Sequence, residues 1–230
     1  MTRAPSQGGR PRRSGIVAQD PRGDILKAAA ELFAARGFAS TRMDAIAQRA
    51  GLGQSSLYYW FRSKDEILRG IMNQNRVSLE AARALSDRPE PAAVRLYIVA
   101  YQDVVQMCTA PLNFYDLEDA AKKQPEVFSD FQGDYDELAA RLRGIVAEGV
   151  AGGEFIDVLP EEFARTVLCM TEGTQYRYHA AGQGPDSLHG FADAAARTSL
   201  RAVLSDVDRL SAVQEAAREG IAGFSSAPDQ

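Results

Sequence analysis

Apolar residues recur at spacings of three and four along most of this chain, and hardly anywhere do they alternate. That period gathers them on one face of a helix, so the chain reads as all-α. Ile25, Ala29, Leu32 and Phe33 form the first stripe. Asp20 and Pro21 suit its start, and Arg36-Gly37-Phe38 its end. Met43, Ile46, Ala47 and Ala50 form the second stripe. Thr41 and Asp44 approximate a capping box, which puts that helix start at Arg42. Gly51 follows, where a sharp turn favours positive φ. Leu57 and Phe61, four apart, anchor a third, short helix whose opposite face carries Gln54, Ser55 and Tyr58, with Tyr59 beside it. Ser63 and Glu66 form a full capping box, and the helix they open is expected to run to about residue 84.

Further along, Val94, Tyr97, Ile98, Tyr101, Val104, Val105 and Cys108 make a clear stripe ending near residue 109. A short helix is expected over 113–122, and Pro125 is expected to open another. Tyr135, Leu138, Leu142, Ile145, Val146 and Gly149 mark a long helix that stops at Gly152-Gly153. Pro160 opens a helix to about 181, and a last long helix is expected from about 187 to 211, with a short helix after it as the alternative to a plain tail. The expected organisation is a disordered basic arm over 1–19, a helix-turn-helix domain over 20–67, a larger helical domain over 68–213, and a tail over 214–230.

Residues 41–64 carry the most specific chemistry. A helix, a glycine turn and a second short helix bring polar and aromatic side chains to positions where a core helix would carry Leu or Val. Gln bonds adenine edges, hydroxyls bond bases or phosphates, and Tyr and Lys reach phosphates or a thymine methyl. The plainer alternative is a three-helix bundle whose polar face meets water. Residues 22–70 resemble the DNA-binding domain of the TetR/AcrR family of transcriptional regulators. The resemblance rests on ILKAAAELFAARGF, on the spacing T-x-M-x-x-IA-x-x-AG, and on SLYYWFRSK. It implies an N-terminal three-helix helix-turn-helix domain followed by a C-terminal helical ligand-binding and dimerisation bundle. Gln54, Ser55, Ser56, Tyr58 and Tyr59 match recognition-helix positions. Thr41, Arg42 and Lys64 match positions that meet phosphates or flanking bases. Trp60 stands where His or Tyr is more frequent, so it either touches DNA or packs on the first helix.

Charge supports that division. The 230 residues carry a net charge of −5, but residues 1–75 hold 12 Lys and Arg against 6 Asp and Glu, and the remainder 14 against 25. A basic end suits phosphates, and an acidic body disfavours coating of DNA. Gly9-Arg10-Pro11-Arg12-Arg13 is either a minor-groove arm or a solvated tail. No apolar run approaches the roughly 20 residues of a membrane span, and no signal core is seen, so no membrane partner and a cytoplasmic location are expected. Cys108 and Cys169 lack metal-type spacing and read as reduced thiols, with a redox switch the alternative. With only His179 and His189 and no glycine-rich phosphate loop, no catalytic or metal site and no cofactor are expected.

One short recognition helix covers too few base pairs for useful specificity, so a homodimer on a near-palindromic double-stranded operator is expected. Ala192, Ala195, Ala196, Ser199 and Ala202 would let helices approach closely, either across a dimer or within the chain's own core. The resemblance also implies a pocket for a small organic effector of unknown identity, with the helix from Ser63 as a lever. Tyr97, Tyr101, Phe114, Phe131, Tyr135, Gln175, Tyr176 and His179 are its candidate lining, ordinary core being the alternative for each. Glu172 or Asp116 would suit a cationic ligand. The expected function is a ligand-responsive regulator, a repressor by steric logic. An architectural DNA binder and a helical-bundle enzyme are the competing readings.

Overall fold

The computed structural model describes residues 20–73, 76–110, 114–182 and 184–224. The arm at 1–19 and the end of the tail at 225–230 lie outside the described residues. The chain divides into two compact units, 1–74 and 75–230. Among the described residues both are helical, and the one strand-like feature is an isolated antiparallel bridge between Phe155 and Leu204.

In the first unit, α1 spans Pro21–Arg36 and begins where Asp20 accepts a hydrogen bond from the Gly23 N–H at 2.9 Å. Its stripe buries Ile25, Leu26, Ala29, Leu32 and Phe33. Gly37, at φ 80°, closes it by donating to the Phe33 carbonyl. Helix α2 (Met43–Arg49) begins one residue later than the sequence suggests. The expected Thr41 cap does not form, because the Thr41 hydroxyl turns back and donates to the Gly37 carbonyl at 2.8 Å. Gly51 makes the following turn at φ 69°. Helix α3 (Gln54–Trp60) and helix α4 (Lys64–Met72) complete the unit. The capping box at α4 is formed, with Ser63 Oγ accepting from the Glu66 N–H at 3.2 Å and Glu66 accepting from the Arg62 N–H at 2.7 Å.

The sequence-based helix running to about 84 is two helices. α4 stops at Met72, and α5 occupies Val77–Leu85. The stretch between them is Asn73-Gln74-Asn75-Arg76. Asn73, the C-cap residue of α4, is a poor helix former because its short amide competes for nearby backbone groups.

In the second unit, α6 (Ala92–Thr109) is the axis. It packs against α5, α8 (Ser129–Ala151), α9 (Pro160–Ala180), α10 (Pro185–Arg201) and α11 (Leu210–Phe224). The stripe read from sequence understates its burial. Every residue from Ala92 to Val104 is buried, including Arg95, Gln102 and Asp103, as befits a helix surrounded on all sides. Buried polar residues need partners. Arg95 donates to the Ser86 carbonyl at 3.1 Å and to Glu148 at 2.5 Å, placing a cation at the C-terminal end of α5. Pro91 precedes α6 and offers no cap, so Glu154, 62 residues away, accepts from the Ala92 N–H at 2.9 Å.

Three other expectations change. Pro125 lies in a turn between α7 (Phe114–Lys123) and α8 and opens no helix. The last long helix ends at Arg201, and a 3₁₀ turn (Val207–Arg209) leads into α11, so residues expected as a tail from 214 are helical to Phe224. Ala192, Ala195, Ala196 and Ser199 are buried in this chain's own core, where they let α10 lie close to α6, while Ala202 is exposed.

Gly149 tests the packing of α8. A Cβ there would lie 2.2 Å from the Phe155 ring, whereas at Gly144 of the same helix it meets nothing within 4 Å. Gly149→Ala is expected to destabilise the fold by roughly 1–3 kcal/mol through overpacking. Gly144→Ala is expected to be neutral or to stabilise by up to about 1 kcal/mol. Urea unfolding of the two variants checks both signs.

Candidate nucleic-acid interface and buried polar site

Helix α3 is seven residues long, too short to persist without tertiary support. Leu57, fully buried, and Phe61 supply that support. With those two turned inward, helical geometry forces Gln54, Ser55, Tyr58 and Tyr59 outward, and all four are exposed while Ser56 is half-buried. Tyr59 is 81% exposed, and its ring meets that of Trp60 edge-on at 5.4 Å. Trp60, 42% exposed, extends this aromatic edge. Arg42, the N-cap residue of α2, has 83% of its side chain exposed and pairs with Asp44 at 3.4 Å.

Two expected contact residues are otherwise engaged. Thr41 is buried, and its hydroxyl is spent on the Gly37 carbonyl, so its side chain leaves the candidate face. The Lys64 ammonium donates to the Phe38 and Ala39 carbonyls at 2.6 and 3.2 Å and lies 4.6 Å from the Phe38 ring centre. Partial burial lowers its pKa, with Asp65 opposing that shift. It ties α4 to the turn between α1 and α2.

In the second unit four of the eight candidate lining residues converge. The Phe114 ring lies 5.4 Å from that of Tyr135 and 5.9 Å from that of Phe131. Gln175 accepts from the Phe114 N–H at 2.7 Å and donates to the Met107 carbonyl at 2.5 Å. The other four go elsewhere. Tyr97 donates to the Asp193 carboxylate and Tyr101 bonds His189 Nδ1 at 2.6 Å, so both join α6 to α10. Tyr176 and His179 are exposed, His179 in the last turn of α9. Gln175 and His179, four apart on α9, share a face, but Gln175 is buried and His179 exposed.

The same region holds acids that periodicity alone did not assign. Glu172 is buried and accepts from the Tyr135 hydroxyl at 3.0 Å. Asp103 is buried in the middle of α6 and accepts from the Thr171 hydroxyl at 2.6 Å, while its Oδ1 has no hydrogen-bond partner. Burial raises both carboxyl pKa values, with the hydroxyls of Thr171 and Ser78 opposing the shift at Asp103 and Tyr135 opposing it at Glu172. Burial, with the Glu172 and Asp103 charges added, pushes up the Tyr135 phenol, and burial with the Asp103 charge raises the Cys108 thiol to about 12, which makes Cys108 an inert thiol. The available signal was Asp103 itself, a lone acid inside the apolar run from Leu96 to Val105. The Asp116 side chain lies outside the described residues.

The chain thus joins a small helical unit, whose α3 exposes polar and aromatic side chains, to a larger helical bundle. A family model described as bacterial regulatory proteins, tetR family, matches residues 25–71. The HTH-type transcriptional repressor KstR2 of Rhodococcus jostii is 30% identical over 179 residues, covering 70% of this chain and 80% of that one. KstR2 of Mycobacterium tuberculosis is 32% identical over 126 residues, covering 47% of this chain, and the match spans 63% of that repressor's length. Among solved structures, AmtR of Mycobacterium smegmatis aligns with a TM-score of 0.65 at 29% identity, covering 92% of this chain and 99% of that one. The chain belongs to the TetR family.

Asp103 gives a prediction with a defined sign. A carboxyl whose pKa rises on folding keeps its proton at pH values where the unfolded chain has released it. Its stabilising contribution is therefore full at acid pH and is lost as pH rises through the folded-state value. Asp103→Asn still offers an acceptor to Thr171 and removes that loss. The melting temperature of the variant minus that of the parent is expected to grow as pH rises from the ordinary carboxylate range toward neutrality. A constant difference in thermal melts across that range contradicts the assignment.

Proposed function

We propose that the protein is a DNA-binding transcriptional repressor, acting as a homodimer and released from its operator by a small organic effector. The observation that carries this reading is the division of α3. Leu57 and Phe61 hold it from behind, while Gln54, Ser55, Tyr58 and Tyr59 face outward. Membership of a family whose matched relatives include HTH-type transcriptional repressors supports it.

In this reading α3 enters the major groove. Gln54 bonds a base edge, Ser55 and the tyrosines meet bases and phosphates, and Arg42 adds a phosphate contact. Ser56 lies at the rim. Thr41 and Lys64 act indirectly, by holding the connection that sets the start of α2. The basic first unit supplies the sequence-independent attraction. Two copies related by a two-fold axis read inverted half-sites, and the outer faces of α9 and α10 are the proposed dimer surface. The domain division follows the two units, with DNA reading in 20–74 and effector binding and dimerisation in 75–224. The effector occupies the region around Phe114, Phe131, Tyr135 and Gln175. It weakens DNA binding by favouring the conformation that holds DNA less well, a coupling typically of about 1–3 kcal/mol. The α4 helix ends at Met72, immediately before the division, and is the proposed lever. The role is regulatory and the cytoplasm its proposed place; among the described residues no helix is long and apolar enough to cross a membrane.

The test separates the two faces of α3. Tyr58→Ala is expected to weaken binding to the selected operator in gel-shift titrations, with the far-ultraviolet circular dichroism and oligomeric state unchanged. Leu57→Ala is expected to destabilise the unit by about 2–5 kcal/mol, because it empties a fully buried site. Unchanged operator affinity in Tyr58→Ala contradicts the assigned reading face.

A further inference from the structure

The buried region around Glu172 is short of positive charge. Two carboxyls, Asp103 and Glu172, lie out of water, each held by a hydroxyl group, and among the described residues no Lys, Arg or His pairs with either. A buried carboxyl is costly unless it is paired with a cation or richly hydrogen-bonded. Asp103 is 1% exposed, and its Oδ1 makes no hydrogen bond, although the Ser78 hydroxyl lies close enough to oppose the rise in its pKa. Beside these acids stand three aromatic rings: Phe114, Phe131 and Tyr135, with centres 5.4 and 5.9 Å from that of Phe114. Tyr135 joins the two groups, because its hydroxyl is the donor to Glu172. Phe131 and Tyr135 are half-buried, so the cluster has an outer edge.

Aromatic faces attract cations within about 6 Å of their centres, and a weakly hydrated organic cation loses less on leaving water than a metal ion does. Anions meet the reverse conditions, since both acids repel them. We infer that the effector is an organic cation, an alkyl- or arylammonium, whose charged head lies among Phe114, Phe131 and Tyr135 beside the Glu172 carboxylate, with Asp103 behind it. This deepens the proposed regulatory function and rests on it. The four helices that contribute, α6, α7, α8 and α9, would be drawn together by one ligand.

Isothermal titration of the full chain tests the ligand class. The probes are quaternary ammonium ions from choline to benzyltrimethylammonium, the neutral isosteres in which carbon replaces nitrogen, and carboxylates of similar size. At least one cation is expected to bind roughly tenfold or more tightly than its isostere, with the carboxylates weaker still. Glu172→Gln keeps an acceptor for Tyr135 and is expected to abolish the preference without lowering the melting temperature. If no cation exceeds its isostere, or the preference survives Glu172→Gln, the inference is overturned. Operator gel shifts with the same probes separate it from the regulatory reading. Tight, Glu172-dependent cation binding that leaves DNA affinity unchanged supports the ligand class and refutes the release mechanism. DNA release by a carboxylate and by no cation does the opposite.

Discussion

The seating of Leu57 and Phe61 in the first unit is the interaction on which the rest depends. A seven-residue helix gains too little from its own hydrogen bonds to stay folded, and the core that takes these two side chains makes α3 persist. The same contact fixes its rotation. Once Leu57 is fully buried, the tyrosines beside it can only point outward. Around this the unit is braced by local devices: the Ser63–Glu66 capping box, the Gly51 turn, and the Lys64 ammonium on the Phe38 and Ala39 carbonyls. Each restricts the angle at which α3 is presented.

The second unit follows a different rule. α6 is surrounded on every side, so polar residues along it must be satisfied from other helices. The N-terminus of α6 is satisfied by Glu154, and Arg95 by Glu148 and the Ser86 carbonyl through its terminal nitrogens, its Nε making no hydrogen bond. Asp103 is satisfied only in part. A core that leaves an acid underpaired gives up stability at neutral pH.

Much of this was legible in the sequence, for reasons that differ by residue. Leu57 and Phe61 stood out because a four-residue spacing among polar neighbours has one helical interpretation. Gly51 and Ser63 stood out because turns and caps are local chemistry. Thr41 and Lys64 did not yield their roles, since their partners, Gly37 and Phe38, come from a connection whose path is set by tertiary packing. Small residues on α10 fit two surfaces equally well on paper, and only the position of α6 decides that Ala192 and Ala196 face inward. Tyr97 and Phe114 look alike in a periodicity analysis. One turns toward Asp193 and the other toward Tyr135, a difference fixed by which helix lies opposite. Residues 210–224 had a usable apolar pattern, but the short turn before them masked the restart of the helix.

The most direct measurement is selection of bound duplexes from random-sequence DNA by the full-length protein at moderate salt. The account predicts an enriched site of two inverted half-sites, with centres one helical turn, about 34–36 Å, or a multiple of it apart. Absence of any enriched sequence, or enrichment of a single half-site bound by one copy, would contradict it.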